Sequence, residues 1–486
     1  MAITDLIKTE AGLTELAEAI AARLPPDQDA VARYRQVVFE SMHTDHGRKN
    51  INHCGLSATY NVENLSANVY SSVRGEELFP HTLDDFERWR ERNEMPFVFT
   101  RKGFPLPQEQ STRWVSPPSN YTLWDDELTD FTRDHPGDRV TREFAVEQII
   151  TVNSRGGRVI ESRPFLGVFF RHGFDPLTVS RNTGAYVLSE EDVARFPVLL
   201  GYMPDPTPDR RLQRAGSLWE AFDALVRMSE VRHSDLQSAG LPDVLTHDVL
   251  MVNGVPVHEI FGHQFEEPVY PLQVGQRSLF PIGKNVQNPA LLLRDNPHQT
   301  VEGYPVCGSY RFDAYGRPST SKLHICDSVV REHLGSEYVD LKNLEGFLGI
   351  RKSHSVGNAR QGDDGSFPQS RMSCTVLDGE VENVDWGGKI IMVPHNGYVV
   401  DGSFFKVLAS ECYVLSGCGE PERVGPLEGS RAVYDAMIGM HLVPGHTYHI
   451  GTCTKPSVLE SGVDTEVPVS FLVKNQLWEH LTIRPL

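Results

Sequence analysis

The chain has 486 residues, 40% of them hydrophobic and 23% charged, the composition of a soluble globular protein with room for two or three domains. Its 46 lysines and arginines stand against 65 aspartates and glutamates, a formal net charge of −19. That excess repels nucleic-acid phosphates and offers no polybasic membrane contact; with no apolar run of spanning length and no secretory pattern in Met1-Ala2-Ile3-Thr4-Asp5, the expectation is a cytoplasmic protein without nucleic-acid or membrane partners.

The chain opens on an amphipathic helix: Leu13, Leu16, Ile20 and Leu24 recur near the helical period, and Pro25-Pro26 ends it. Alternating stretches follow that read as strands, among them Thr59-Tyr60-Asn61-Val62 and Ala67-Asn68-Val69-Tyr70. Between about residues 100 and 140, Pro105, Pro107, Pro117 and Pro118 predict irregular structure, a surface excursion rather than an insertion over a cleft. Strands return over 145–152 and 158–170, with Gly156-Gly157 as the hairpin turn. Ser217-Leu218-Trp219-Glu220 fits a capping box for a helix whose apolar face continues through Phe222 and Leu225. Gly240-Leu241-Pro242 marks a junction, beyond which short strands and turns dominate and Asp363-Asp364-Gly365 sits in a polar loop. The expected fold class is α+β. Residues 1–240 form a domain of helices on an antiparallel sheet, and residues 241–486 a β-rich domain that carries the metal-binding motif.

The seven cysteines, at 54, 307, 326, 374, 412, 418 and 453, are odd in number and include no CxxC. Scattered thiols of this kind read as small buried hydrophobes in a reducing compartment, not as a disulfide framework.

His258-Glu259-Ile260-Phe261-Gly262-His263 supplies two imidazoles and a carboxylate within six residues. Two neutral histidines and a third protein ligand can hold zinc and leave one position open for water, whose proton an adjacent glutamate can take. The histidines stand five residues apart, not the four of H-E-x-x-H. On a regular helix that separates them by about 140°, too far to share one ion. A distorted helix over roughly residues 257–265, with a π-bulge, brings both imidazoles to one point. Gly262 lowers the backbone cost of that departure. Spacing alone leaves the third ligand open among Glu266, His446, His449 and Cys453. A second cluster, His43-Thr44-Asp45-His46 with His53-Cys54, reads as a polar loop, because no regular element converges those side chains.

The stretch 257–267 resembles the signature of the TldD/PmbA family of metallopeptidases, which carries H-E-x-x-x-H. The likeness continues in order through Gly357-Asn358-Ala359-Arg360, Ser370-Arg371-Met372-Ser373-Cys374-Thr375, Asp401-Gly402-Ser403-Phe404, Ser410-Glu411-Cys412-Tyr413-Val414-Leu415, Gly451-Thr452-Cys453 and Val467-Pro468-Val469. It covers roughly residues 245–475; Thr454 departs from the family's glycine, and the glutamine that follows the family's cysteine loop has no counterpart. The resemblance implies one zinc per chain held by His258, His263 and Cys453, with Glu259 as the catalytic glutamate. It also implies unstructured or modified peptides as substrates, hydrolysed through a metal-bound water, and a dimer, either of two identical chains or with a family relative. His354, His395 and Arg371 are candidates to steady the developing oxyanion, Arg371 equally for a structural role. Two alternatives stand beside the peptidase: a zinc amidohydrolase acting on a small peptide-like metabolite, and a non-catalytic metal-binding partner protein. Glu259 argues against the last, since a structural zinc site is closed by four ligands and needs no neighbouring acid.

Overall fold

The apolar stripe at the start of the chain folds as its spacing predicts. In the computed structural model helix α1 spans Glu10–Ala21, and Thr9 caps it by accepting the Gly12 N–H on its hydroxyl at 3.1 Å. Leu13, Leu16, Ile20 and Leu24 are all buried, against Tyr34, Ile150, Val152 and Ile160. The structure describes residues 9–24, 29–43, 47–62, 65–73, 108–115, 125–134, 139–172, 179–187, 239–266, 279–335, 357–362, 368–385, 387–400, 403–415, 421–456 and 464–486, with isolated positions between 189 and 237. Pro25-Pro26, Ser217 to Trp219, His354 and Asp363-Asp364-Gly365 lie outside them; Glu220 and Phe222, where the second helix was expected, are helical.

Among the described residues, seven strands form one sheet: β1 (Asp29–His43), β2 (Gly47–Val62), β3 (Leu65–Val73), β4 (Gln110–Arg113), β5 (Arg139–Asn153), β6 (Arg158–His172) and β7 (Val179–Tyr186). The order is β3-β2-β1-β5-β6-β4, with β7 also on β6, and every pairing is antiparallel except β4 with β6. The β5–β6 hairpin turns at Gly156, whose φ of +88° favours glycine. Asn153 closes that turn by accepting the N–H groups of Arg155 and Gly157 at 3.0 and 2.9 Å.

Two expectations are corrected. His43 lies on β1 and His53 and Cys54 on β2, so the second cluster sits on a long hairpin and not on a loop; its side chains and residues 44–46 lie outside the described residues. The 100–140 segment also carries regular structure, namely β4 and helix α2 (Asp125–Asp134). The four prolines flank these pieces without interrupting them, so the backbone N–H groups needed for pairing and for helix are all present.

Among the described residues, a fourteen-stranded sheet forms from the rest of the chain, with the strand Asp464–Pro485 at its centre. That strand pairs with Cys374–Gly379 in parallel and with Leu245–Met251, Leu427–Ala432 and Met440–Pro456 antiparallel. A two-residue strand, His233–Ser234, joins the sheet's edge beside Pro421–Val424.

The two sheets share a hydrophobic cluster. Val140, Phe144, Leu166 and Phe170 of the first pack with Leu250, Val376, Ile391 and Tyr448 of the second. Beside it, Arg181 of β7 reaches Glu411 of the strand Glu411–Leu415 in a two-pronged pair at 2.6 and 2.7 Å, and the Tyr413 hydroxyl donates to the same carboxylate at 2.9 Å. Arg181 and Glu411 are 1% and 4% exposed, so removing one partner strands a charge away from water. Arg181→Met should destabilise the fold by about 3 kcal/mol in a denaturant titration. Arg181→Met with Glu411→Leu should recover most of that loss, because no unpaired charge remains.

Candidate metal centre

The strand Leu245–Met251 runs into a short helix built in three pieces: α-helical Val255–Val257, a π turn over His258–Gly262, and α-helical His263–Glu266. The π turn adds the residue that the five-residue spacing demands. It brings the two imidazoles to a ring-centroid distance of 4.5 Å at an interplanar angle of 62°. The turn's start is fixed by Asn253, whose amide donates to the Pro394 carbonyl and whose carbonyl accepts the Val255 N–H. At Gly254 a Cβ would lie 2.7 Å from Phe471 Cβ, so glycine lets the helix start sit on that ring.

The reason for Gly262 differs from the one expected. A Cβ there would collide with Met372 Sδ and come within 3.3 Å of His258 Nδ1. The residue is needed for the space it leaves open, and no positive φ is involved.

Cys453 lies on Met440–Pro456, opposite Val467, and is 1% exposed. Ligand atoms of His258, His263 and Cys453 all fall within 4.8 Å of one another, a group able to hold a metal ion. Of the other candidates for third ligand, Glu266 is otherwise engaged: its Oε2 accepts from His263 Nδ1 at 3.2 Å, while Oε1 accepts from Arg371 Nε at 2.9 Å and the Met372 N–H at 3.0 Å. His446 and His449 fall outside the group of converging donors; His449 stacks on Phe471, and its Nδ1, like that of His258, is buried with no hydrogen-bond partner among the described residues.

The donors suit a cation. His258 Nδ1 is buried with no hydrogen-bond partner, and burial pushes the ring below its ordinary pKa, towards the neutral form that can coordinate. The bond from His263 Nδ1 to Glu266 leaves Nε2 of that ring as the free donor atom. Arg371 Nη2 donates to Cys453 Sγ at 2.9 Å and to the Cys453 carbonyl at 2.7 Å. Burial raises the Cys453 thiol and Glu266 adds to that, while His263 and Arg371 oppose it. Arg371 is thus a positioning group behind the cluster and does not reach the cleft.

Glu259 turns the other way. Its carboxylate is 18% exposed, with Oε1 3.9 Å from His258 Nε2, and a Cβ on Gly397 would lie 2.9 Å from its Cγ. His258 and Glu259 line one side of a cleft of about 390 Å³, with Asn182, His395, Asn396, Thr452 and Phe471 around them. His395 accepts the Ser410 N–H on Nδ1 at 3.2 Å. In its neutral form, which partial burial favours, it therefore carries its proton on Nε2.

No family model matches the sequence, and neither does any curated protein. Solved structures do match over nearly the whole chain. TldE from Thermococcus kodakarensis superposes with a TM-score of 0.63 at 11% identity, over 97% of this chain and 100% of that one. The chain has the TldD/PmbA fold. A candidate modulator of a DNA gyrase from Thermotoga maritima gives 0.57 at 14% identity over 98% and 100%, and one from Bacteroides thetaiotaomicron 0.61 at 11% over 99% and 100%.

Sequence reasoning passed over Asn253, Gly397 and Phe471, and it kept Glu266 among the candidates for the third ligand. The i,i+3 spacing from His263 to Glu266 was the one signal for its part in orienting that ring. Gly262→Ala should force Met372 and the π turn apart. A loss of about 1–3 kcal/mol in stability and a clear drop in divalent-metal affinity are expected, read by denaturation and by competition with a chelator.

Proposed function

We propose that the protein is a zinc-dependent peptidase of the cytoplasm. His258, His263 and Cys453 would be its metal ligands, Glu259 its general base, and unstructured or modified peptides its substrates. The observation that carries this reading is the convergence of the three donors beside a carboxylate that faces a cleft. When bound, zinc supplies Lewis acidity, polarising a carbonyl and easing the deprotonation of water at neutral pH.

The chain's own residues divide the remaining work. Glu259, partly exposed and backed by the Gly397 strand, takes the proton of the attacking water and returns it to the leaving amine. His395 lines the same cleft and, with Nδ1 held by the Ser410 N–H, would offer its Nε2–H to the charge that develops on the scissile carbonyl oxygen, the role of an oxyanion donor. An extended peptide suits the cleft because residues of two strands, Asn182 of one and Ile450, Gly451 and Thr452 of another, line it. The 241–486 half would be the catalytic unit, and the active form a dimer, either of two such chains or with a family relative.

A small cleft is also open to the amidohydrolase reading. Turnover of short amides in preference to a peptide library would favour it.

Glu259→Gln should retain the metal and lose about 10²–10⁴-fold in kcat. Full activity with bound zinc would remove Glu259 from the mechanism. Cys453→Ala should release zinc to a chelator far faster than Cys412→Ala, the control for losing a buried thiol. Equal retention would return the third-ligand role to Glu266 or His449.

A further inference from the structure

Away from the metal-facing cleft, a second concavity of about 250 Å³ lies where β4 and β6 meet the loop around Pro297 to Arg311. It shares Glu161, Arg163 and Tyr310 with a narrower cavity beneath it. Six arginines line the two: Arg33, Arg35, Arg113, Arg163, Arg311 and Arg360. Three carboxylates face them: Glu147, Glu161 and Asp313. A local surplus of positive charge in a chain of net −19 is not what composition alone would place there.

Glu147 and Asp313 are committed, while Glu161 lines both cavities as a counter-charge to Arg113 and Arg163. Glu147 accepts from Arg35 at 2.6 Å and Arg163 at 2.7 Å, and the Tyr186 hydroxyl reaches it at 3.3 Å. Burial alone would raise its pKa, but Arg163 and Arg35 hold it well below the usual carboxylate range. Asp313 Oδ1 accepts the N–H groups of Tyr315 and Arg317 at 2.9 and 3.0 Å, which ties it to its own turn.

The guanidinium groups differ: Glu147 more than offsets the burial of Arg163, while Arg33, Arg113 and Arg360 are less compensated. Burial, with Arg35 next, lowers Arg33 to about 9 despite Glu147. Arg113 and Arg360 are also lowered, first by burial. Arg360 turns one nitrogen to the Met372 carbonyl and lies over the Tyr310 ring at 5.4 Å. The guanidinium groups of Arg113 and Arg311, on the upper cavity, make no hydrogen bond among the described residues, and that of Arg311 lies 5.9 Å from the Phe312 ring centre.

We propose that this cavity binds an oxyanion, a carboxylate or a phosphate group, held between the guanidinium groups of Arg113 and Arg311, with Arg163, whose Nε and Nη1 are bound to Glu147 and to the Ser309 carbonyl, beside them. Arginine's planar fork matches two oxygens of either group, and a negative guest adds a counter-charge among six arginines that line the two cavities with three carboxylates. The volume suits the charged end of a small molecule or of a peptide, not a polymer. The proposal does not rest on the metal chemistry and can be tested on metal-free protein.

The test is calorimetric titration of the full chain at constant ionic strength with inorganic phosphate, with succinate and with neutral succinamide. Saturable binding of phosphate or succinate, but not of succinamide, is expected. Phosphate alone would identify a tetrahedral ligand, and succinate alone a carboxylate. Arg113→Gln with Arg311→Gln should weaken binding at least tenfold and abolish the anion-induced rise in melting temperature. Arg311 is exposed and Arg113 half-buried, and a lysine pair at the same positions checks that folding survives. Equal binding of succinamide, unchanged affinity in the glutamine pair, or no saturation by either anion would overturn the assignment.

Discussion

The ion pair between Glu266 and Arg371 is the constraint on which the metal centre depends. Both side chains are fully buried, and their 2.9 Å contact lies behind the cluster. Burying two charges is costly unless the remaining hydrogen-bonding capacity is used. Here it is used on the site itself. Glu266 orients the His263 ring and accepts the Met372 N–H, while Arg371 donates to the sulfur and carbonyl of Cys453. One neutral pair therefore fixes two of the three donors without adding net charge. Burial alone would lower Arg371, but Glu266 and Cys453 more than offset it, so the guanidinium remains charged behind the sulfur.

Met372 connects this pair to the helix. Its backbone N–H is bound by Glu266, its carbonyl accepts from Arg360, and its sulfur fills the space left by the missing side chain of Gly262. The π turn is thus pressed from one side by packing and anchored at its start by Asn253. The candidate metal donors sit on close-packed elements, whereas Glu259 and His395 border solvent in the cleft. That division would suit a site whose ligands stay fixed while the groups facing the cleft meet a changing guest.

The sequence was most informative where a single local geometry could satisfy it. Histidines five residues apart with a shared purpose require an extra residue in the turn, and the π turn supplies it. The helix over Leu13 to Leu24 and the hairpin at Gly156 followed from periodicity and turn chemistry in the same way. Long-range partnerships were not legible. Nothing local in Glu266 announces Arg371 or Cys453, and spacing gave Glu266 the same standing as a ligand. The helix Asp125–Asp134 was hidden because the prolines around it dominated the reading of a segment that they only border. Gly262 was recognised but for a conformational reason, since the Met372 side chain that it accommodates comes from a distant strand connection.

The central strand Asp464–Pro485 lines up Met440–Pro456 on one flank and, through Cys374–Gly379 in parallel, the segment that carries Arg371 and Met372. The three donors come from positions 258, 263 and 453, so the thiol joins the imidazoles only through distant pairings. Loop-closure entropy delays such contacts relative to local ones. A nascent or partly opened chain can present the two-histidine turn but not the full pocket, and tight uptake of the ion becomes a signature of sheet completion. An ion held by all three donors would bind only the finished form and would draw the equilibrium towards it, so that the durability of the whole architecture would follow the supply of that ion.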